Sequence, residues 1–440
     1  MIGKRFIDFF RENYFSDKLQ EFEDFLKSLE KPIPKTIRIK EDKVQKVISR
    51  LKNDGWILSE TILKRVFSIE RKKDFDPLER RLGMSMDHLI GNFYIQELAA
   101  AHPVDLLADG EKQKKPQLIL DMASSPGGKS SQLVEYFPKS FIVANEPNRN
   151  RIPQLLQNLE RMHTPNVGIT LYSGGQWKYL PETFDKILLD APCSGEGTAY
   201  KGTNALKFWH IKSIKKIANL QTKLVESALI TLKTGGEMVY STCSLNHLEN
   251  EGVLEAMKEK YADAIDITFQ KKFWPHIDKT GGFFMAKILK KAPIKGPSPR
   301  GLTSNTHIHH YSGSLKNWET GENISLYQYK NSLLAVKNAE IIKNILQHVY
   351  FMRLGENIGT IEKHIYTPNA RAFRDIKTDH LPVYTLKDEH ELDRYLRGYE
   401  LEGDLPNGYA CIEFENTKIS IEKVNNTLFS NRFPTDWRRK

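Results

Sequence analysis

The stretch Ile187-Leu188-Leu189-Asp190-Ala191-Pro192-Cys193-Ser194-Gly195-Glu196-Gly197 joins a short apolar run to a loop that carries an acid, a thiol and two glycines. An apolar run of this length that ends at turn residues is typical of a strand buried on both faces. The acid and the thiol therefore leave the carboxyl end of a predicted central strand together. Ligands bind at that edge of open α/β sheets, so the stretch indicates both a fold and a place for chemistry.

A second stretch, Met238-Val239-Tyr240-Ser241-Thr242-Cys243-Ser244, has the same pattern and also ends in a thiol. A buried cysteine is often no more than a small apolar side chain. Two of the three cysteines in the chain nevertheless end predicted strands, and one lies beside a carboxylate, which favours a chemical role. Because so few cysteines do not make a disulfide framework, we expect a reducing, cytoplasmic setting.

Short apolar runs alternate with helical patterns between residues 118 and 290. This alternation predicts an α/β fold with a Rossmann-like, doubly wound and mostly parallel sheet of seven strands. The predicted strands are 118–121, 141–144, 167–172, 184–189, 238–243, 264–269 and 282–288. The predicted helices are 88–107, 129–136, 152–162 and a long helix from Ile211 that Gly235-Gly236 ends.

The length of 440 residues is sufficient for more than one domain. We predict a small α+β region at residues 1–82, the α/β core at 83–290, a linker at 291–318 and an α+β region at 319–440. The linker is rich in Pro, Gly, Ser and His, and its histidines are interpreted as part of a solvated tract, so no metal site is predicted. No apolar run approaches ~20 residues, so no membrane span is predicted.

The balance of charge suits an anionic partner. The chain has 65 Lys and Arg against 55 Asp and Glu, a net charge of +10. Its last ten residues, 431–440, mix basic and aromatic side chains, which can contact phosphate and stack on unpaired bases. An ordinary basic C-terminus explains those residues nearly as well.

The loop from Asp121 to Ser130 allows two interpretations. A nucleoside triphosphate is one, because Gly-Lys-Ser opens a helix, but a phosphate loop needs glycine where Ala123 stands. The other is a nucleoside cofactor that lies over the strand ends. Glu146 then stands at the end of the second strand, where an acid accepts hydrogen bonds from the ribose hydroxyls. The missing glycine and the acid favour the nucleoside cofactor.

Three motifs together resemble the Nop/Sun family of RNA cytosine-5 methyltransferases. They are Asp-Met-Ala-Ser-Ser-Pro-Gly-Gly-Lys, Asp-Ala-Pro-Cys-Ser-Gly-Glu-Gly and Ser-Thr-Cys-Ser-Leu-Asn-x-x-Glu-Asn-Glu. The resemblance covers about residues 1–290 and is strongest from 118 onward. Beyond residue 310 the chain resembles the bacterial 16S ribosomal RNA branch of the family, which carries a C-terminal PUA-like RNA-binding region.

The resemblance implies S-adenosylmethionine as the cofactor and a cytosine of RNA as the substrate. The cofactor-binding residues it implies are Ala123, Ser124, Ser125, Pro126, Gly127, Gly128, Lys129, Glu146, Ser173 and Asp190. Serine at 173 departs from the aspartate that the family usually has for contact with the adenine. The catalytic residues it implies are Cys243 as the attacking thiol, Asp190 with Lys129 at the edge of the base, and Cys193 in product release.

The resemblance also implies an RNA partner, most simply ribosomal RNA or the small-subunit particle, with transfer RNA next. A monomer is favoured, with no membrane or metal partner. Two alternatives remain open at this stage. One is a P-loop-like nucleoside triphosphatase, and the other is a catalytically inactive RNA-binding or ribosome assembly factor on a methyltransferase fold.

Overall fold

The computed structural model describes residues 2–72, 81–202, 204–302, 307–315 and 318–438, without the side chains of Asn204 and Ala205. Its N-terminal region is a four-stranded sheet packed with helices. The strands are β1 (Thr36–Ile39), β2 (Trp56–Glu60), β3 (Val66–Arg71) and β4 (Phe93–Ile95), in the order β2-β3-β1-β4. The helices are α1 (Lys4–Tyr14), α2 (Leu19–Glu30), α3 (Val44–Asn53) and α4 (Met86–Leu89).

The predicted seven-stranded sheet is confirmed and forms the centre of the fold. Its strands are β5 (Leu118–Asp121), β6 (Phe141–Asn145), β7 (Val167–Thr170), β8 (Phe184–Asp190), β9 (Leu232–Thr242), β10 (Ile265–Phe273) and β11 (Phe283–Lys290). The helices of this region are α5 (Leu98–Leu107), α6 (Gly128–Tyr136), α7 (Ile152–Met162), α8 (Asn204–Lys207), α9 (Ile211–Thr231), α10 (Glu251–Tyr261) and α11 (Pro275–Asp278). The strand order is β10-β11-β9-β8-β5-β6-β7, and the five strands from β9 to β7 are parallel neighbours.

The sheet is buried on both faces, as continuous apolar strands predict. Leu118 and Leu120 of β5 belong to a core cluster that includes residues of α9 and α10. Ile119, between them, faces a second cluster with residues of α5, α6 and α7. Alternate side chains of one strand therefore contact helices on opposite faces, which is the doubly wound arrangement.

The C-terminal region contains two five-stranded sheets. The first has the order β12 (Ile308–His310), β13 (Ile324–Tyr329), β14 (Ser332–Lys337), β16 (Glu356–Glu362) and β17 (Ile365–Pro368). The second has the order β18 (Val383–Thr385), β20 (Gly408–Phe414), β21 (Thr417–Asn425), β22 (Leu428–Ser430) and β19 (Leu401–Glu402), with helix α12 (Glu389–Leu396) in the same region. A short strand, β15 (Arg353–Leu354), pairs antiparallel with β7 and extends the central sheet to eight strands.

Several predicted boundaries differ from the structure. The predicted helix over 88–107 is wrong, because strand β4 lies between α4 and α5. The prediction that Gly235-Gly236 ends the long helix is also wrong, since α9 ends at Thr231 and both glycines lie within β9. The predicted linker, 291–318, includes strand β12, and the division into domains stays a prediction. Arg439 and Lys440 of the basic tail lie outside the described residues.

Candidate active site

The predicted catalytic residues come together at the carboxyl edge of the parallel strands. Asp190 ends β8, Cys193 lies in the loop after it, and Cys243 directly follows β9. Lys129 lies in the first turn of α6, which follows the loop after β5. Because β5, β8 and β9 are parallel neighbours, all these loops open at the same edge of the sheet.

Lys129 and Asp190 form an ion pair within this edge. The Lys129 Nζ lies 2.7 Å from Asp190 Oδ2, and the Ser241 hydroxyl donates to Asp190 Oδ1 at 2.7 Å. Burial alone would lower the pKa of Lys129, but the adjacent Asp190 carboxylate outweighs it, so this pKa is raised. Lys129 therefore stays an ammonium group and holds the carboxylate in place. Sequence reasoning had not assigned a role to Ser241.

The two thiols contact each other directly. The Cys193 and Cys243 sulfurs are 3.0 Å apart, and both cysteines are free and half-buried. The pKa of Cys193 is raised well above its usual range by its hydrogen bond to Cys243, by burial and by the nearby Glu249 and Asp190 carboxylates. Burial and the nearby carboxylates therefore keep the proton on Cys193, and either sulfur can be the donor in the hydrogen bond between the two thiols. Because a thiol that keeps its proton is a poor nucleophile, this arrangement favours the prediction that Cys243 is the attacking sulfur.

Close backbone contacts fix the loops that carry the thiols. The Gly197 amide donates to the Cys243 carbonyl at 2.8 Å, and the Gly282 amide donates to the Gly197 carbonyl at 2.9 Å. A Cβ atom at Gly197 would lie 1.8 Å from the Gly282 oxygen, so a side chain does not fit there. The glycine in the motif thus permits the approach of the loop before β11 to the loop after β8.

Two buried acids to which the sequence analysis gave no role, Glu196 and Glu249, form hydrogen bonds with the same loops. Glu196 accepts hydrogen bonds from the amides of Leu245 and Asn246 at 2.8 and 3.0 Å, and also from the ring nitrogen of Trp209. Burial, and then the neighbouring Glu249, raise the pKa of Glu196. Such backbone contacts tie the Cys193 loop to the chain that follows Cys243.

Glu249 completes this network. Its carboxylate accepts from the Ser194 amide at 2.9 Å, from Gln221 Nε2 at 3.0 Å and from Asn246 Nδ2 at 2.7 Å. Gln221 also donates to the Pro192 carbonyl at 2.9 Å, so helix α9 supports the loop before Cys193. In the sequence, Gln221 stands on the apolar face of the helix and Glu249 stands within the motif that contains Cys243, but neither had been assigned this role.

The predicted cofactor loop, residues 122–128, turns tightly at the end of β5. Gly127 has a φ of 105°, a left-handed conformation that favours glycine, and it directly precedes helix α6. The Ser124 amide donates to the Asn145 carbonyl at 2.9 Å, and Arg151 Nη2 donates to the Ser125 carbonyl at 2.6 Å. The loop is thereby attached to β6 and to the start of α7, next to Glu146.

Two carboxylates at this edge have acceptor oxygens without hydrogen bonds among the described residues. Glu146 is 1% exposed; its Oε1 accepts from the Asn148 amide at 2.9 Å, and its Oε2 has no hydrogen-bond donor, although Arg151 Nη1 lies 3.2 Å away. Asp121 accepts from the Ser130 hydroxyl at 2.5 Å through Oδ2, while its Oδ1 has no donor. Burial raises the pKa of Asp121 to about 7. These oxygens suit a ligand with hydroxyl or ammonium groups, as a nucleoside cofactor with an amino-acid end has.

Ser173 has a local structural role. The Ser173 side chain accepts a hydrogen bond from the backbone amide of Gln176, and the Ser173 amide donates to Gln176 Oε1 at 2.9 Å. These two bonds cap the short 3-10 helix Gly174–Tyr179. Its predicted contact with an adenine stays a prediction. Among the residues that the structure covers, no group of three His, Cys, Asp or Glu side chains is arranged to hold a metal ion, and no helix is long and apolar enough to span a membrane.

Comparison with known proteins agrees with the family resemblance that the motifs indicate. Residues 109–289 match the family model of the 16S rRNA methyltransferase RsmB/F. The ribosomal RNA small subunit methyltransferase F of Erwinia tasmaniensis is 30% identical over 453 residues, which cover 94% of this chain and 93% of the relative. Its namesake from Shewanella piezotolerans is 28% identical over 479 residues, with 97% of each chain covered.

The structural comparisons give the same fold. The crystal structure of a methyltransferase homolog protein from Pyrococcus horikoshii has a TM-score of 0.56 and 28% identity, and covers 66% of this chain and 100% of that chain. The structure of NSun6 from the same organism with SFG has a TM-score of 0.56 and 21% identity, and covers 66% of this chain and 98% of that chain. The second likeness is one of fold alone.

Proposed function

The chain belongs to the 16S rRNA methyltransferase RsmB/F family, and from this premise we propose that it methylates carbon 5 of a cytosine in small-subunit ribosomal RNA, with S-adenosylmethionine as the methyl donor. The observation that carries the proposal is the pair of thiols, 3.0 Å apart, beside the Lys129–Asp190 ion pair. A transferase that methylates an already nucleophilic oxygen or nitrogen has no need of a thiol that adds to its substrate. Carbon 5 of cytosine is a weak nucleophile and needs covalent activation.

In the first step, the Cys243 thiol gives up its proton to solvent, and its sulfur adds to carbon 6 of the base and forms a sulfur–carbon bond. The electrons of the ring move toward nitrogen 3, which takes a proton. The Lys129–Asp190 pair holds acidic and basic groups together, and we assign it to share that proton with nitrogen 3. Carbon 5 then becomes an enamine carbon that can attack an electrophile.

The bound cofactor supplies an electrophilic methyl group to carbon 5. Residues 123–129 would hold its amino-acid end through the backbone, and Glu146 would accept hydrogen bonds from its ribose through the open Oε2. Asp121, with its open Oδ1, is a further group that suits the ammonium end. These residues would hold the cofactor at the edge of the sheet where Asp190 and both thiols lie.

In the last step the Cys243 adduct must break. The proton leaves carbon 5, and the electrons of the carbon–hydrogen bond restore the double bond of the ring as the sulfur–carbon bond breaks with its electrons on Cys243. Cys193 would give its proton to that sulfur and take up the proton from carbon 5, while nitrogen 3 returns its proton to the Lys129–Asp190 pair. The raised pKa of Cys193 supports this relay, because the thiol enters the step with its proton on.

The geometry also restricts the form of the substrate. Carbon 6 is out of reach of a half-buried thiol while the base is stacked in a helix, so the target cytosine must be unpaired or flipped. Single-stranded loops are the parts of RNA in which bases are accessible in this way. A ribosomal RNA loop is the favoured target, and transfer RNA is the next candidate.

The test uses the full chain with small-subunit ribosomal RNA, free and in the small-subunit particle, and S-adenosylmethionine. Bisulfite sequencing should show one new 5-methylcytosine with the wild type and none with Cys243→Ala. Calorimetry should show binding of S-adenosylmethionine and none of ATP with magnesium. Binding of RNA without any methylation by the wild type would overturn the proposal and favour the inactive assembly factor.

A further inference from the structure

One segment beside the catalytic pair has a strongly one-sided charge. Residues 197–225 contain six lysines and no aspartate or glutamate. Five of these lysines are exposed, and we call them together the lysine ridge: Lys201, Lys207, Lys212, Lys215 and Lys216. None of the five makes an ion pair with a residue that the structure describes. Five exposed cations without counter-charges attract an anion.

An exposed aromatic ring lies within this ridge. Phe208 is 76% exposed, whereas its neighbour Trp209 is only 6% exposed. The Trp209 ring nitrogen donates to Glu196, and the ring packs edge-on against Phe6 at 6.1 Å. The backbone next to Phe208 is therefore fixed, while the Phe208 ring lies mostly in solvent with the Lys207 ammonium 5.4 Å from its centroid. Burying this ring against a ligand would remove a large apolar surface from water.

The ridge flanks the loop that carries Cys193. Glu196, which anchors Trp209, lies in that loop, and Gln221 of α9 donates to the Pro192 carbonyl at 2.9 Å. On the other side, Tyr200 lies close enough to Cys243 that a charge on this sulfur contributes to raising the Tyr200 pKa, after burial and Glu97. Lys201 directly follows Tyr200. The cations and the exposed ring thus lie in the segment that directly follows the Cys193 loop, and Gln221 joins the helix of this segment back to that loop.

We propose that the lysine ridge binds phosphates of the single-stranded RNA that flanks the target cytosine, and that Phe208 stacks on a base beside it. The proposal rests on the proposed function, in which the target base leaves its stack and its neighbours lose a stacking partner. An aromatic side chain replaces that partner, and lysines track the backbone, as in proteins that bind single strands. An acidic protein would satisfy the lysines but gives no reason for an exposed aromatic ring among them.

The first experiment measures binding without catalysis. The probe is a fluorescein-labelled single-stranded RNA of about 12 nucleotides with one cytosine, within the range of single-strand site sizes. The test variant is the triple Lys207→Ser, Lys212→Ser, Lys216→Ser. The control is the triple Lys258→Ser, Lys291→Ser, Lys295→Ser, which removes the same charge from exposed lysines elsewhere. Lys291 follows β11, which is antiparallel to β9, and so lies at the edge opposite to Cys243.

We expect the test triple to weaken RNA binding at least tenfold and to reduce the slope of log affinity against log salt by about 2, because each lost phosphate contact on a single strand removes roughly 0.7. The control triple should change both quantities much less. Equal effects of the two triples would mean that net charge alone attracts RNA, which overturns the ridge. Polyglutamate of equal charge serves as the probe for an acidic protein partner. If the protein binds polyglutamate more tightly than RNA, the proposal is also overturned.

The second experiment tests the ring. Phe208→Ala should weaken RNA binding or raise the KM for RNA by about five- to a hundredfold, the range found for loss of one stacking residue. Phe208→Trp should restore it, whereas Phe208→Leu, which is apolar but not aromatic, should not. Affinity for S-adenosylmethionine should equal that of the wild type in all three. If Leu rescues as well as Trp, stacking is wrong; if wild-type protein binds the RNA but never methylates it, the proposed function fails and the ridge stands.

Discussion

The surroundings of individual side chains distinguish residues that the motifs alone present as equivalent. Cys193 and Cys243 both follow strands, and the pKa of Cys193 is raised by a hydrogen bond to its neighbour, by burial and by nearby carboxylates. A thiol that keeps its proton is a poor nucleophile, but it enters the reaction with a proton that it can give to a stronger base such as a departing thiolate. The two cysteines should therefore act at different steps, and their removal should give different products.

Cys193→Ser should trap the reaction after methyl transfer. The attack by Cys243 stays possible, but a hydroxyl is a weaker proton donor to the departing sulfur, so the RNA adduct should accumulate. A denaturing gel should show this adduct as a slow band that needs S-adenosylmethionine, and the band should vanish in the double variant with Cys243→Ser. An adduct that survives the loss of Cys243 and requires Cys193 would reverse the two assignments.

Glu146→Gln should weaken cofactor binding with little effect on the fold. A hydrogen bond to a charged acceptor contributes roughly 1.5–3 kcal/mol, which corresponds to about a ten- to hundredfold rise in the Kd for S-adenosylmethionine. Calorimetry gives this Kd directly. Arg149→Gln is the matched control, because it changes one charge on the exposed turn that follows β6 and should leave the Kd unchanged. An unaltered Kd in Glu146→Gln would show that the acid only caps its own turn.

Asp121→Asn should flatten the dependence of stability on pH. The unfolded chain loses the Asp121 proton near the ordinary pKa of 3.8, whereas the folded protein keeps it up to a pKa of about 7. The folded state binds more protons in this window, so its stability falls as the pH rises from 3.8 to about 7. At 1.36 kcal/mol per pKa unit, the free energy of unfolding of the wild type should fall by up to about 4 kcal/mol more than that of the variant between pH 3.8 and about 7. Denaturant unfolding at several pH values measures this difference. Parallel plots of unfolding free energy against pH for the wild type and the variant would contradict the prediction.

Packing between elements explains why the catalytic loops keep their positions. The loop after β8 and the loop before β11 meet backbone to backbone at Gly197 and Gly282, and Glu196 and Glu249 bond to the amides around them. Few of these contacts involve a group that could touch a substrate. They position the thiols, and a change in them should reach catalysis through geometry.

Gly197→Ala should impair methylation more than it impairs cofactor binding. Its Cβ atom would overlap the Gly282 oxygen at 1.8 Å, so the two loops must separate and shift Cys193 relative to Cys243. We expect at least a tenfold lower kcat, by the usual sensitivity of catalysis to small displacements. Gly83→Ala is the control, since the nearest atom to its Cβ lies 4.0 Å away. A normal kcat in Gly197→Ala would mean that the thiols do not depend on this contact.

Local pattern predicted most elements of the core, and failed where distant partners decide. The strands β5 to β8 and helix α7 were predicted within a few residues, because their apolar runs and caps are local features. The predicted helix over 88–107 failed because β4 gains its hydrogen bonds from β1, a partner about fifty residues earlier in the chain. The thiols and Asp190 were found from strand ends. The roles of Glu196, Glu249 and Gln221 depend on bonds between loops, which periodicity does not contain.

At the scale of the whole molecule, the C-terminal region is part of the core. Phe351 is 1% exposed and lies on Gly168 of β7, where a Cβ atom would come within 2.5 Å of its ring. The Met352 amide donates to the Ile169 carbonyl at 2.8 Å, and β15 continues the sheet from there. A chain that ends near residue 300 would expose this edge of the sheet. Its loss of RNA binding would then report damage to the core as well as loss of an RNA-binding surface.

Phe351→Ala in the full chain tests the contact between the C-terminal region and β7. Truncation of a buried phenylalanine typically lowers the free energy of unfolding by about 3–5 kcal/mol, and here it removes the contacts that β7 makes with the C-terminal region. Because these contacts join two regions, hydrogen exchange should show loss of protection in both β6 and β21, with unfolding still concerted. Phe269→Ala is the control, since this ring is 39% exposed on an edge strand and its loss should change stability by about 1 kcal/mol or less. If β21 loses protection while β6 keeps it, the C-terminal region unfolds independently, and the core does not need it.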